Sequence, residues 1–196
     1  DNISFLNQIN NTTKIKNFLI DCQKYYFSKI EGHKINENII IDKAPLNFKW
    51  IGFILAIFPN SKIIHCQRDP MAICWSNYKN SFSSKSIGFS YDLVDLAKFY
   101  NLYDDLMNFW KDSFNKSIYN LDYQQLVTNK EIEIKKIINF CELKWDDNCL
   151  KPEENKKSVS TASLSQVRSP IYKSSIKNWE NYSSKLNVLK EIIKHT

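Results

Sequence analysis

A chain of 196 residues with 43% hydrophobic and 14% aromatic side chains can fill a substantial core, which excludes a disordered chain and a small disulfide-stapled scaffold. Its 27 Lys and Arg against 21 Asp and Glu leave a net charge of +6 spread along the chain, which fits an anionic small ligand or a solvated surface better than a nucleic-acid arm. No stretch approaches the roughly 20 apolar residues of a membrane span, and no signal-peptide core follows Asp1.

No repeat, low-complexity tract or linker divides the chain, so a single domain over residues 1–196 is expected. Residues 11–30 open at Thr12 or Thr13 and carry Ile15, Phe18, Leu19, Cys22, Tyr26 and Phe27 at helical spacing. Residues 38–41 form a short apolar run and predict a buried strand. Pro45 then suits the first turn of a helix bearing Phe48, Ile51, Gly52, Leu55 and Phe58, which Pro59-Asn60 ends. Residues 62–66 predict a second strand, and Gln67-Arg68-Asp69-Pro70 leads into a helix with Ile73, Cys74 and Tyr78. This alternation predicts parallel strands joined by a right-handed crossover, an α/β sheet with helices packed on it. Ser90 has the character of an N-cap for a long helix whose stripe runs from Leu93 through Leu96, Ala97, Tyr100, Tyr103, Met107 and Trp110 to Phe114. Residues 117–122 predict a third strand, and Thr128-Asn129-Lys130-Glu131 a capping box for a helix through Cys141. Residues 151–170 form a polar, serine-rich loop of a length usually kept for function, and Ser174 caps a final helix bearing Ile176, Trp179, Tyr182, Leu186, Leu189 and Ile193.

Only three glycines, Gly32, Gly52 and Gly88, are present, isolated from one another, so the chain contains no GxxxxGK[ST] or GxGxxG loop to cradle a phosphate. Ligands of open α/β sheets bind beyond the carboxyl ends of the strands, which directs attention to Lys43, Arg68 and Tyr123. Lys43 stands at the mouth of a helix, where a cation meets an anion already drawn by the helix N-terminus; it can equally be solvated or paired with Asp42. Arg68, with Ser76 eight residues on, can bind a phosphate, or can form a surface pair with Asp69. The five cysteines include no CxxC pair and read as reduced thiols, Cys66 and Cys141 within apolar runs and buried. His65 and Cys66 read as a packed core strand. With His33 and His195 remote, no metal site is predicted.

The runs Asp42-Lys43-Ala44-Pro45-Leu46-Asn47-Phe48, Phe58 through Pro70 with Ser76, Phe89-Ser90-Tyr91-Asp92-Leu93, Leu121 through Val127, Phe140 through Trp145 and Thr161 through Tyr172, followed by Ser175, Trp179 and Tyr182, stand in one order over roughly residues 38–189. Together they resemble the sulfotransferase superfamily, specifically bacterial relatives of tyrosylprotein sulfotransferases of the type often fused to tetratricopeptide repeats. The resemblance implies an α/β, P-loop-like three-layer fold with a parallel sheet flanked by helices. It implies transfer of a sulfuryl group from 3′-phosphoadenosine 5′-phosphosulfate (PAPS) to an acceptor, with 3′-phosphoadenosine 5′-phosphate (PAP) as product and no metal. On that pattern Lys43 stabilises charge on the leaving oxygen, Arg68 and Ser76 hold the 3′-phosphate and Tyr123 lies against the nucleotide. Ser163 approaches the donor phosphates, and Lys177, before Trp179, helps close over them. The chain departs from the pattern in lacking the family's glycine-containing 5′-phosphosulfate loop, and Glu31 and Glu37 stand too near Lys43 to be assigned as general base. An N-terminally truncated sulfotransferase domain is therefore expected, its general base upstream of residue 1.

The acceptor expected is a hydroxyl on protein tyrosine, a carbohydrate or a small molecule, with no nucleic acid or membrane as partner and a cytoplasmic location. The competing reading is a catalytically incomplete nucleotide-binding or partner-binding domain. Nucleic-acid binding fails because the aromatics fall on apolar stripes, and a nucleotide kinase because the Walker lysine is missing.

Overall fold

The computed structural model describes residues 12–31, 39–82, 85–154 and 177–194. The chain forms two compact units, Asp1–Ser61 and Lys62–Thr196. No helix among the described residues is long and apolar enough to cross a membrane.

In the first unit, helix α1 (Thr12–Glu31) follows the predicted span. Pro45 opens a 3-10 turn over Pro45–Trp50 that runs directly into α2 (Ile51–Ile57), where Ile51 and Leu55 are buried. A prolyl ring suits this start because its fixed φ is already helical and its missing N–H has no intrahelical partner there. The two helices meet through aromatic rings: Phe18 lies 6.5 Å from Phe53, and Phe58 packs edge-on against Tyr26 at 5.2 Å and Phe27 at 5.6 Å. Gln23 Nε2 donates to the Ile57 carbonyl at 3.1 Å, satisfying an acceptor that the end of α2 leaves without an intrahelical donor.

Residues 39–41 correct the sequence expectation of a buried strand. They carry no ladder and are exposed, Ile41 to 88%. A strand exists only by pairing, and the described residues of this unit contain no other strand to receive it.

In the second unit, β1 (Ile63–Gln67) and β2 (Ile118–Asp122) pair in parallel with Ile63 opposite Ile118 and Gln67 opposite Asp122. Among the described residues this helix-rich α/β unit thus has a two-stranded parallel sheet. Helix α3 (Pro70–Tyr78) follows β1, and α4 (Leu93–Phe114) precedes β2. Beyond β2 come α5 (Tyr123–Thr128), α6 (Lys130–Phe140) and, near the end of the chain, α7 (Asn187–Ile192). The buried centre joins Cys74 of α3, Leu96 and Ala97 of α4, and Leu186, Leu189 and Ile193 around α7.

Three local expectations are corrected. The N-cap of α4 is Asp92, whose carboxylate accepts from the amides of Val94 at 2.8 Å and Asp95 at 2.9 Å. Ser90 is fully buried in the preceding turn and donates to the Ile87 carbonyl. The capping box at Thr128 does not form, because Thr128 ends α5 and its hydroxyl donates back to the Gln124 carbonyl at 2.8 Å. The final segment is not one helix but a 3-10 stretch, Asn178–Lys185, followed by α7, with buried Leu186 between them. Ser174 and residues 155–170 of the expected loop lie outside the described residues.

The cysteines are all free, and Cys74 is fully buried. Cys66 is exposed, contrary to expectation, because alternation along β1 turns His65 inward and Cys66 to the opposite face.

Candidate functional site

The parallel register brings the carboxyl ends of β1 and β2 side by side, so the residues that follow each strand become neighbours although 55 positions separate Arg68 from Tyr123. A cleft of about 360 Å³ opens there. Arg68 lies over the Tyr123 ring, its guanidinium carbon 5.3 Å from the ring centre. That contact holds the cation on a π face, an arrangement an arginine makes better than a lysine.

Two carboxylates at the cleft are committed to backbone. Asp69 accepts from the Ala72 amide at 2.7 Å and caps α3, and Asp122 accepts from the amides of Gln124 at 2.7 Å and Gln125 at 3.1 Å and caps α5. Each cap turns the chain from strand to helix just where Arg68 and Tyr123 stand, so an ordinary structural device sets the mouth of the cleft.

Helix α4 supplies the wall with Tyr100 and Asp104, neighbours at i, i+4 on one helical face. Burial first, then the charge of Asp104, pushes the Tyr100 hydroxyl up to about 12, so it remains a proton donor through the physiological range. Asp104 Oδ2 accepts from Asn108 Nδ2 at 3.3 Å.

Behind the wall, His65 of β1 is buried. Its Nδ1 lies 2.9 Å from Asn120 Oδ1 on β2, and its Nε2 meets the Tyr103 hydroxyl of α4. A carboxamide oxygen can only accept, so Nδ1 carries the proton and Nε2 accepts from Tyr103. Burial holds the imidazole below its ordinary 6.5; Asn120 and Asp104 act in the opposite sense, and Lys111 reinforces the burial.

Of the residues named from sequence, Arg68 and Tyr123 come together in this cleft. Ser76 is half-buried on α3 and does not line it. Lys43, in the first unit, is exposed on the extended segment before Pro45, and no carboxylate among the described residues lies within ion-pair distance of it. Asp42, its alternative partner, instead accepts from the Tyr26 hydroxyl at 3.1 Å and Asn47 Nδ2 at 3.3 Å. Lys177 is exposed and lies 3.9 Å from Glu180. Ser163 lies outside the described residues.

The sequence reading did not find the α4 wall. Tyr100 passes for plain core on its stripe, and Asp104 was legible only as a carboxylate beside Tyr103 and one turn after Tyr100. Among the described residues no group of three or more His, Cys, Asp or Glu side chains is placed to hold a metal ion.

A strand-to-helix turn carrying arginine thus stands beside one carrying tyrosine at the carboxyl edge of a parallel sheet, the place where open α/β sheets bind their ligands. The sulfotransferase family model matches residues 4–147, and the chain belongs to that family. An uncharacterized protein of Aquifex aeolicus is 37% identical over 172 residues, which cover 87% of this chain and 23% of that one. Protein-tyrosine sulfotransferase A of Caenorhabditis elegans is 25% identical over 128 residues, 63% of this chain and 32% of that protein. The protein-tyrosine sulfotransferase of Drosophila melanogaster is 24% identical over 128 residues, 65% of this chain and 26% of that protein. The chain therefore spans less than a third of the length of each relative.

Proposed function

We propose that this chain serves sulfuryl transfer from PAPS to an acceptor hydroxyl, protein tyrosine being the favoured acceptor. The observation that carries the reading is Arg68 over the Tyr123 ring at the carboxyl edge of the sheet, in a chain of the sulfotransferase family. The similarity to two protein-tyrosine sulfotransferases favours the tyrosine hydroxyl.

Arg68 is the cation of a cleft that also holds Asp69, Asp104 and Asp122, each of which already accepts a hydrogen bond from within the chain. A guanidinium can take a phosphate in a two-point fork, and the backbone donors held by Asp69 and Asp122 temper the negative charge nearby. The donor supplies an activated sulfuryl group. The acceptor oxygen attacks sulfur as the bond from sulfur to the bridging phosphate oxygen breaks, the acceptor proton passing to a base and the electron pair leaving with PAP. Within that scheme Arg68 holds the 3′-phosphate and Tyr123 offers its ring to the nucleotide, while Ser76, which does not line the cleft, joins Arg68 on the family pattern alone. Lys43 stabilises the negative charge that grows on the bridging oxygen. Ser163 and Lys177 approach the donor phosphates from the late segment.

Calorimetric titration with PAP beside adenosine 5′-monophosphate tests the reading. The protein should prefer PAP, and Arg68→Ala should weaken PAP by about 10- to 100-fold, the equivalent of one charge-assisted hydrogen bond, with a much smaller effect on the monophosphate. Equal losses for both ligands would remove Arg68 from 3′-phosphate recognition.

A further inference from the structure

The buried His65 is not needed by the chemistry proposed above, yet it sits where the cleft is fastened together. On β1 it is two residues before Gln67, which lines the cleft and shares its face of the strand. Across the sheet it is in register with Asn120, and from α4 it receives the Tyr103 hydroxyl. Tyr103 stands between Tyr100, whose ring is 5.5 Å away, and Asp104, and those two form the helical wall of the cleft. One imidazole thus joins both strands of the floor to the helix of the wall.

We propose that His65 and Tyr103 are positioning residues of the nucleotide cleft, forming a latch that holds the α4 wall against the sheet while His65 is neutral and loosens it when His65 is protonated. The inference rests on the reading of this cleft as the donor site.

The chemistry of the latch is directional. With Nδ1 committed as donor to Asn120, Nε2 is an acceptor only in the neutral ring, and the tyrosine donates to it. Protonation puts a hydrogen on Nε2 and reverses donor and acceptor at the contact. It also places a positive charge in a buried site. The groups that face the ring are Asn120 on β2 and Tyr103, Asp104 and Lys111 on α4. Asp104 opposes the new charge, whereas burial and Lys111 disfavour it. Because the folded protein holds this ring neutral where an unfolded chain would protonate it, the stability the latch contributes is complete above about pH 6.5 and declines as the pH falls toward the lower folded value.

The test compares PAP affinity at pH 7.5 and 5.0 in the wild type, Tyr103→Phe and His65→Gln, with amide hydrogen exchange across residues 99–104 measured without ligand. The phosphates of PAP titrate in this range, and all three proteins share that background. Beyond it, the wild type should lose a further 3- to 10-fold in affinity on acidification, and exchange in the α4 wall should quicken. Tyr103→Phe, which lacks the donated hydrogen bond, should bind more weakly at pH 7.5. His65→Gln offers an acceptor that does not titrate and should lose the additional acid response while weakening binding less than Tyr103→Phe. Retention of the wild-type pH profile by His65→Gln would overturn the latch. A wild type that fails to bind PAP at pH 7.5 would overturn the donor reading instead, and the ligand-free exchange would then decide the latch: acid-quickened exchange absent from His65→Gln upholds it, and identical behaviour refutes it.

Discussion

Arg68 and Lys43 are two cations in different surroundings. Arg68 is half-buried and lies over an aromatic ring, which limits the orientations of its guanidinium and so favours binding over motion. Lys43 is exposed on the segment before Pro45. On the proposed mechanism Lys43→Ala should lower turnover about 100-fold while changing PAPS affinity only severalfold, because the interaction strengthens in the transition state. Steady-state kinetics alongside direct titration separates the two quantities, and a loss confined to affinity would reassign Lys43 to ground-state binding. At this scale the sequence was informative for residues just past a strand, such as Arg68 and Tyr123, because their position follows from where the apolar run stops. It was silent on Asp104, whose place in the cleft depends on which face of a long helix meets the sheet.

At the scale of elements, most helices begin and end near where their punctuation predicts. Pro45, Pro70 and the stop at Pro59 act through φ and a missing N–H, effects confined to one or two residues. Capping was less legible, because several residues in a row have suitable side chains and only the geometry selects among them. Ser90 and Asp92 are both good caps by type, and Asp92 is the one placed immediately before the first helical residue. Asp92→Ala should therefore destabilise the protein by about 1 kcal/mol, whereas Thr128→Ala, whose hydroxyl caps no helix N-terminus, should stay within about 0.5 kcal/mol. Urea unfolding of both variants makes the comparison, and a Thr128 effect as large as that of Asp92 would restore the capping box. The strands at 63–67 and 118–122 lie within a residue of their expected ends, yet residues 39–41, equally apolar, form none.

At the scale of the molecule, the core of the second unit closes around a distant segment of its own chain. Leu186, Leu189 and Ile193 pack on Cys74, Leu96 and Ala97, the Tyr182 ring stacks on Trp75 at 4.3 Å, and Asn101 both donates to the Ile192 carbonyl and accepts from the Lys194 amide. Leu189→Ala should cost about 2–5 kcal/mol through lost burial and the cavity left behind, whereas Leu102→Ala, on the exposed side of α4, should cost under about 0.5 kcal/mol. Thermal unfolding of the pair measures whether the C-terminal segment is integral to this core, and similar small shifts for both would show that it is not. By itself the sequence determined the extents of most helices, two of the three expected strands and the residues that stand past each strand. Periodicity, proline and apolar run length are short-range properties written in consecutive residues. Tertiary structure decided that residues 39–41 stay unpaired, that His65 turns inward while Cys66 turns out, and that α4 brings Tyr100 and Asp104 to the cleft and Tyr103 to His65. Each of these depends on a partner dozens of residues away, and no local pattern encodes which partner arrives.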